Sequence, residues 1–261
     1  MKQLIPGVLL FIITLALLCA AAVPVFALDT DKVQNEEELQ QWFYENSDTG
    51  GTVYLADNIT ITDYVFGGYQ GGQIIIDTGE YGLIYKGDVI YHCDLRITGE
   101  GVNCPVLEVI NTGSWGWGNW NNEVIDLFVT ATGKNGQGGV ALRISDDDGY
   151  DFAMWMASVD NGLISSFGEG AVGLDLAKPL DVYCMNIKTD GTNSVAVNAP
   201  FGANLYYCRL SAIGAGAKAV SGNDIQLDTC ISTPAPAGAT TSGPLHNGCV
   251  RQTVLHTGET V

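Results

Sequence analysis

The chain has 261 residues, 46% of them hydrophobic, with 11 Lys+Arg against 29 Asp+Glu and 33 Gly. That length permits a sizeable core in one or two domains, and a charged fraction of only 15% argues against a disordered chain. A formal net charge of −18 sets nucleic acid aside as a partner, because phosphate binding needs clustered Lys and Arg.

Residues 1–27 read as a cleaved secretory signal. Lys2 supplies a positive start, Leu9 to Leu18 form an apolar run, and Val25-Phe26-Ala27 places small or aliphatic residues where a signal peptidase reads. The alternative is an uncleaved anchor, since the run approaches the ~20 residues that span a bilayer. No later stretch is apolar enough to cross a membrane, so no membrane contact is expected after cleavage. Cleavage removes Lys2 and no acid, leaving ten basic residues against 29 acidic and a charge of −19. Cys93, Cys104, Cys184, Cys208, Cys230 and Cys249 remain, an even number that permits disulfides in an exported chain without fixing their pairing. There is no CxxC and no Cys/His pair at zinc spacing, so sulfur-bound metal is not expected.

Residues 28–50 hold one helix, expected over about 35–46. Asn35 with Glu38 has capping-box spacing, and Glu36, Glu37 and Glu38 sit where the helix dipole favours negative charge. Leu39, Trp42 and Phe43 fall on one face, so the helix should dock on something apolar.

From Gly51 to Ser232 the pattern becomes short alternating runs broken by Gly, Asn, Asp and Pro. An apolar signature recurs as Ile90/Cys93/Leu95, Val124/Leu127/Val129, Met154/Ala157/Val159, Val182/Met185/Ile187, Leu205/Cys208/Leu210 and Leu227/Cys230/Ser232. Its central positions lie 34, 30, 28, 23 and 22 residues apart. A second run, Val140-Ala141-Leu142, returns as Val172-Gly173-Leu174 and Val195-Ala196-Val197. Such a period means stacked units, each too small to bury its own apolar face. Coils made only of strands, stacked ~4.8 Å apart, fit an all-β parallel β-helix, with Cys93, Cys208 and Cys230 in an interior column. A β-sandwich is the rival arrangement of short strands and turns.

The amphipathic helix, the run Gly50-Gly-Thr-Val-Tyr-Leu-Ala-Asp-Asn-Ile-Thr-Ile61 and the coil cores Ile90-Tyr-His-Cys-Asp-Leu, Leu205-Tyr-Tyr-Cys-Arg-Leu and Leu227-Asp-Thr-Cys-Ile resemble the secreted right-handed parallel β-helix proteins of the pectin-lyase-like class. The resemblance covers about residues 33–233 and implies that the helix caps the N-terminal end of the stack. It specifies a fold and no activity. Residues 233–261 read as a Pro/Ala/Gly-rich linker-like turn and a short stub. A stack without a cap exposes an unpaired strand edge, so self-association through the C-terminal end is a further expectation.

Three places invite chemistry. Trp115, Trp117 and Trp120, with Asn119 and Asn121, hold three of the five Trp in a Gly/Asn-rich turn, where indole faces suit sugar rings and amides suit hydroxyls. Asp146, Asp147 and Asp148 concentrate carboxylates in a turn that would suit Ca²⁺. Aligning the coils puts Ser158, Asn186 and Arg209 in one outward column, with Asp160 beside Lys188 in the next. Asp160, Lys188 and Arg209 can be cast as the machinery of a Ca²⁺-dependent polysaccharide lyase, in which Lys or Arg removes the proton beside a uronate carboxylate. The polygalacturonase elements of this class, Gly-His-Gly and Arg-x-Lys, do not occur, and the charge would repel polyanionic pectate unless Ca²⁺ bridges the two. The expected function is therefore that of a non-catalytic secreted or cell-surface protein presenting turns to an extracellular polysaccharide or surface protein. The lyase is the alternative.

Overall fold

The computed structural model describes residues 32–46, 48–62, 72–86, 95–111, 127–146, 153–155, 163–183, 185–228, 230–234 and 240–241. Within them the chain is a parallel β-solenoid with a single helix near its start. The first sheet has nine strands, in the order β1 (Lys32–Val33), β2 (Gly51–Leu55), β4 (Ile74–Gly79), β6 (Leu95–Gly99), β8 (Leu127–Ala131), β11 (Leu163–Phe167), β14 (Asn186–Asp190), β17 (Arg209–Ile213) and β20 (Ile231–Thr233). The second has seven: β3 (Ile59–Ile61), β5 (Leu83–Lys86), β7 (Leu107–Asn111), β9 (Val140–Asp146), β12 (Val172–Leu176), β15 (Val195–Ala199) and β18 (Lys218–Gly222). The third has five: β10 (Ala153–Trp155), β13 (Leu180–Tyr183), β16 (Ala203–Tyr206), β19 (Ile225–Asp228) and β21 (Thr240–Thr241). From β11 onward the chain visits the three sheets in turn and returns one rung higher, each new strand pairing in parallel with its predecessor.

Alternation along each strand sends every second side chain inward, and parallel pairing stacks equivalent positions. Val53, Ile76, Ile97, Val129, Ile164, Ile187 and Leu210 form one such interior column, all essentially inaccessible to water. Ile59, Leu83, Leu107, Leu142, Leu174, Val197 and Val220 form the facing column in the second sheet. Each such side chain contributes about 1.5–3 kcal/mol over leaving it exposed, and no coil obtains that alone. Where the second sheet turns toward the first, Ala141, Gly173, Ala196 and Ala219 keep the interior narrow and are fully buried. A Cβ on Gly173 would lie 2.4 Å from Ile187 Cγ2 and 2.7 Å from the Ala196 carbonyl oxygen, so the absence of a side chain there sets how closely the walls approach.

The helix α1 (Glu36–Asn46) starts where its cap says it should. The Glu38 amide donates to Asn35 Oδ1 at 2.9 Å, and Glu38 Oε2 accepts from the Gln34 amide at 2.8 Å, so two otherwise orphaned donors are satisfied. Leu39, Trp42 and Phe43 are buried in the same cluster as Val33, Val53 and Ile59, which closes the first coils as the resemblance implied. Glu36 accepts from the Thr62 amide at 2.8 Å and from the Thr62 hydroxyl at 3.0 Å, tying the helix to the chain just past β3.

Two coil alignments differ from the apolar signature. Leu95 pairs with Leu127 and Ile97 with Val129, two residues away from the alignment of Leu95 with Val129. Val129 continues into Ile164 and then Ile187, so the column passes through Ile164 and not Val159. A slip of two leaves the same side chains facing inward, so the alternating pattern alone does not fix it. Cys208 and Cys230 do stack inside: both are buried and the Cys208 amide donates to Cys230 Sγ at 3.4 Å. Cys93 lies outside the described residues. Two strands extend the pairing beyond 51–232, with β1 preceding the helix and β21 adding to β19.

Candidate functional site

The lyase candidates are separated by the register. Lys188 stands on the outer face of the first sheet between Ser165 and Ser211, and Arg209 pairs with Asn186 and Ile231. Asn186 and Arg209 are thus neighbours as expected, whereas the residue that the preceding coil sets beside Lys188 is Ser165, whose hydroxyl lies 3.0 Å from that of Thr130. Asp160 and Ser158 lie outside the described residues. So do Trp115, Trp117, Asn119, Trp120, Asn121, Asp147 and Asp148, and residues 1–27 of the expected signal. Asp146 ends β9, paired with Asn111. Among the described residues no group of three or more His, Cys, Asp or Glu is arranged to hold a metal, and no helix is long and apolar enough to cross a membrane.

The outer face of the second sheet carries a polar ladder that the sequence reading did not single out. Glu108, Arg143, Asp175, Asn198 and Ser221 occupy equivalent positions on successive strands. Arg143 grips Asp175 through Nε at 2.8 Å and Nη2 at 2.7 Å, Asn198 Nδ2 donates to Asp175 Oδ1 at 2.8 Å, and Ser145 Oγ donates to Glu108 at 2.6 Å. These partners are occupied with each other, which makes the ladder a register clamp. Near it, burial and then Glu108 push the half-buried Cys104 thiol up, away from the reactive thiolate.

The arrangement that offers open partners is a cleft of about 200 Å³ at the entry to the third sheet. Three stacked turns build it. Pro179 leads into β13, Pro200-Phe201-Gly202 into β16 and Asn223-Asp224 into β19. The middle turn reverses over Gly202, at φ +106°, a conformation that L side chains rarely adopt, and closes with its amide donating to the Ala199 carbonyl at 3.2 Å. Asn223 Nδ2 donates to the Pro200 carbonyl at 3.3 Å, locking the third turn under the second. The strands then place Asp181, Asn204 and Gln226 in one outward column, and Asn204 Nδ2 donates to Asp181 Oδ1 at 2.7 Å. Phe201 lines the cleft while remaining 62% exposed, opposite Asp181, Asn204 and Asp224. Beside it, burial first and then the charges of Asp181 and Asp228 raise the Tyr206 phenol, which reports a negative potential over this face.

Chemically, the cleft offers an apolar ring, an amide and carboxylates around a space smaller than the ~300–1,000 Å³ of pockets for drug-sized ligands. That suits one ring of a larger ligand. The sequence carries a signal for it: Asp181 and Asn204 are 23 residues apart, one coil, but the signature was read for its apolar positions only. No protein-family model, curated protein or solved structure matches the chain.

Proposed function

We propose that this protein is a secreted or cell-surface, non-catalytic β-solenoid of the pectin-lyase-like class that binds extracellular carbohydrate through the cleft between β13, β16 and β19. The observation that carries the reading is Phe201, 62% exposed, lining the same cleft as the hydrogen-bonded pair Asp181 and Asn204. An aromatic face stacks on the C–H face of a pyranose, while a carboxylate and an amide meet its hydroxyls. Lys2 followed by the apolar run from Leu9 to Leu18 supports export. The Trp115, Trp117 and Trp120 turn, with Asn119 and Asn121, is a second platform for the same class of ligand.

The alternative, a Ca²⁺-dependent lyase, draws support from Lys188 and Arg209 lying on the same outer face of the neighbouring strands β14 and β17. A glycan array with the mature protein and its Phe201→Ala variant separates the two. Binding that falls at least tenfold in the variant, with no unsaturated product released from uronate polymers in Ca²⁺, is the expected result. Array binding indifferent to Phe201→Ala sinks the cleft, and product lost on Lys188→Ala establishes the lyase.

A further inference from the structure

We infer that the cleft selects an amino sugar with a free ammonium group over its acetylated or uronate counterparts, an inference that rests on the carbohydrate reading above. The lining carries two carboxylates, Asp181 and Asp224, and no Lys or Arg; Lys178, next to Pro179 in the chain, is not part of it. Asn204 donates one amide hydrogen to Asp181 Oδ1, which orients that carboxylate and leaves Oδ2 and the amide oxygen of Asn204 as further acceptors. Acceptors therefore outnumber donors across the cleft. A uronate would bring only more acceptors and more negative charge, into a chain already at −18. A hexosamine supplies what is missing: three N–H donors on a cation, attached to a ring whose C–H face rests on Phe201. The ammonium gains from the carboxylates and from the aromatic ring together, since a cation over a phenyl face is attracted by its quadrupole. Acetylation removes the charge and two of the three donors, so it costs the interaction without changing the ring.

The test is calorimetric titration of the mature protein with a β-1,4-linked glucosamine tetramer, its fully N-acetylated counterpart, a galacturonate tetramer and a lysine tetrapeptide, repeated at raised salt. The glucosamine tetramer is expected to bind at least tenfold more tightly than the other three. Asp181→Asn and Phe201→Ala should each erase that preference, while Glu37→Gln, in the first turn of the distant helix, leaves it intact. Circular dichroism confirms that each variant is folded. Equal binding of the acetylated tetramer overturns the charge selection and leaves the carbohydrate reading standing. Failure of every sugar to bind overturns both. Glucosamine binding that Glu37→Gln weakens as much as Asp181→Asn, or that the lysine peptide matches, is diffuse attraction to an acidic protein and also overturns the inference.

Discussion

Arg143 and Asp175 face each other across β9 and β12, and the guanidinium holds the carboxylate through two contacts, at 2.8 and 2.7 Å. The carboxylate side chain is 15% exposed and the guanidinium 38%, so solvent screens the pair only in part. Asn198 takes the remaining oxygen, which ties three successive coils of the second sheet into one register.

Removing Asp175 leaves a cation and an amide without their acceptor, so Asp175→Ala should cost about 1–3 kcal/mol in urea denaturation. The double-mutant cycle with Arg143→Ala should return a coupling of about 1 kcal/mol, the upper end for a partly exposed bidentate pair. A coupling within error of zero would show that the ladder decorates the register and does not hold it.

Gly173 sets the spacing between two walls. With its would-be Cβ 2.4 Å from Ile187 Cγ2 and 2.7 Å from a backbone oxygen, Gly173→Ala must displace the interior column and should lose about 1–3 kcal/mol. Ile187→Val in the same molecule should restore part of that loss, because it trims the side chain in the way. No recovery in the double variant would locate the strain at the Ala196 carbonyl instead.

Cys230 gives the fold an alkaline weakness. Its hydrogen bond with the Cys208 thiol, followed by burial, pushes the Cys230 thiol far above its ordinary value. An unfolded thiol ionises near pH ~8.5 while the folded one keeps its proton, so the unfolded state binds fewer protons as pH rises and stability falls. The slope approaches about 1.4 kcal/mol per pH unit above that point. Denaturation midpoints of the wild type should drop between pH 8 and 9.5 while those of Cys230→Ala stay flatter, a window chosen below the region where the raised Tyr206 phenol adds its own slope. Parallel profiles would contradict it.

The helix, the inward columns and the pair Cys208 and Cys230 were legible in the residues because each depends on local spacing: a cap three residues from its acid, an apolar side chain at every second position, a thiol repeated after 22 residues. The register of the earlier coils was not, as Leu95 shows by pairing with Leu127. An alternating strand shifted by two presents the same face, and loops of different length cost little to close, so neither term selects one alignment.

Sequence alone therefore determined that this chain stacks, which side chains it hides and where its helix docks, because burial is decided strand by strand. What only the folded coils decided is which outward residues meet. Arg143 reaches Asp175, and Phe201 comes to line a cleft with Asp181 and Asp224, across turns roughly twenty residues apart in sequence. Those meetings depend on register and turn geometry, which hydrophobic patterning leaves free and cooperative packing of neighbouring coils fixes.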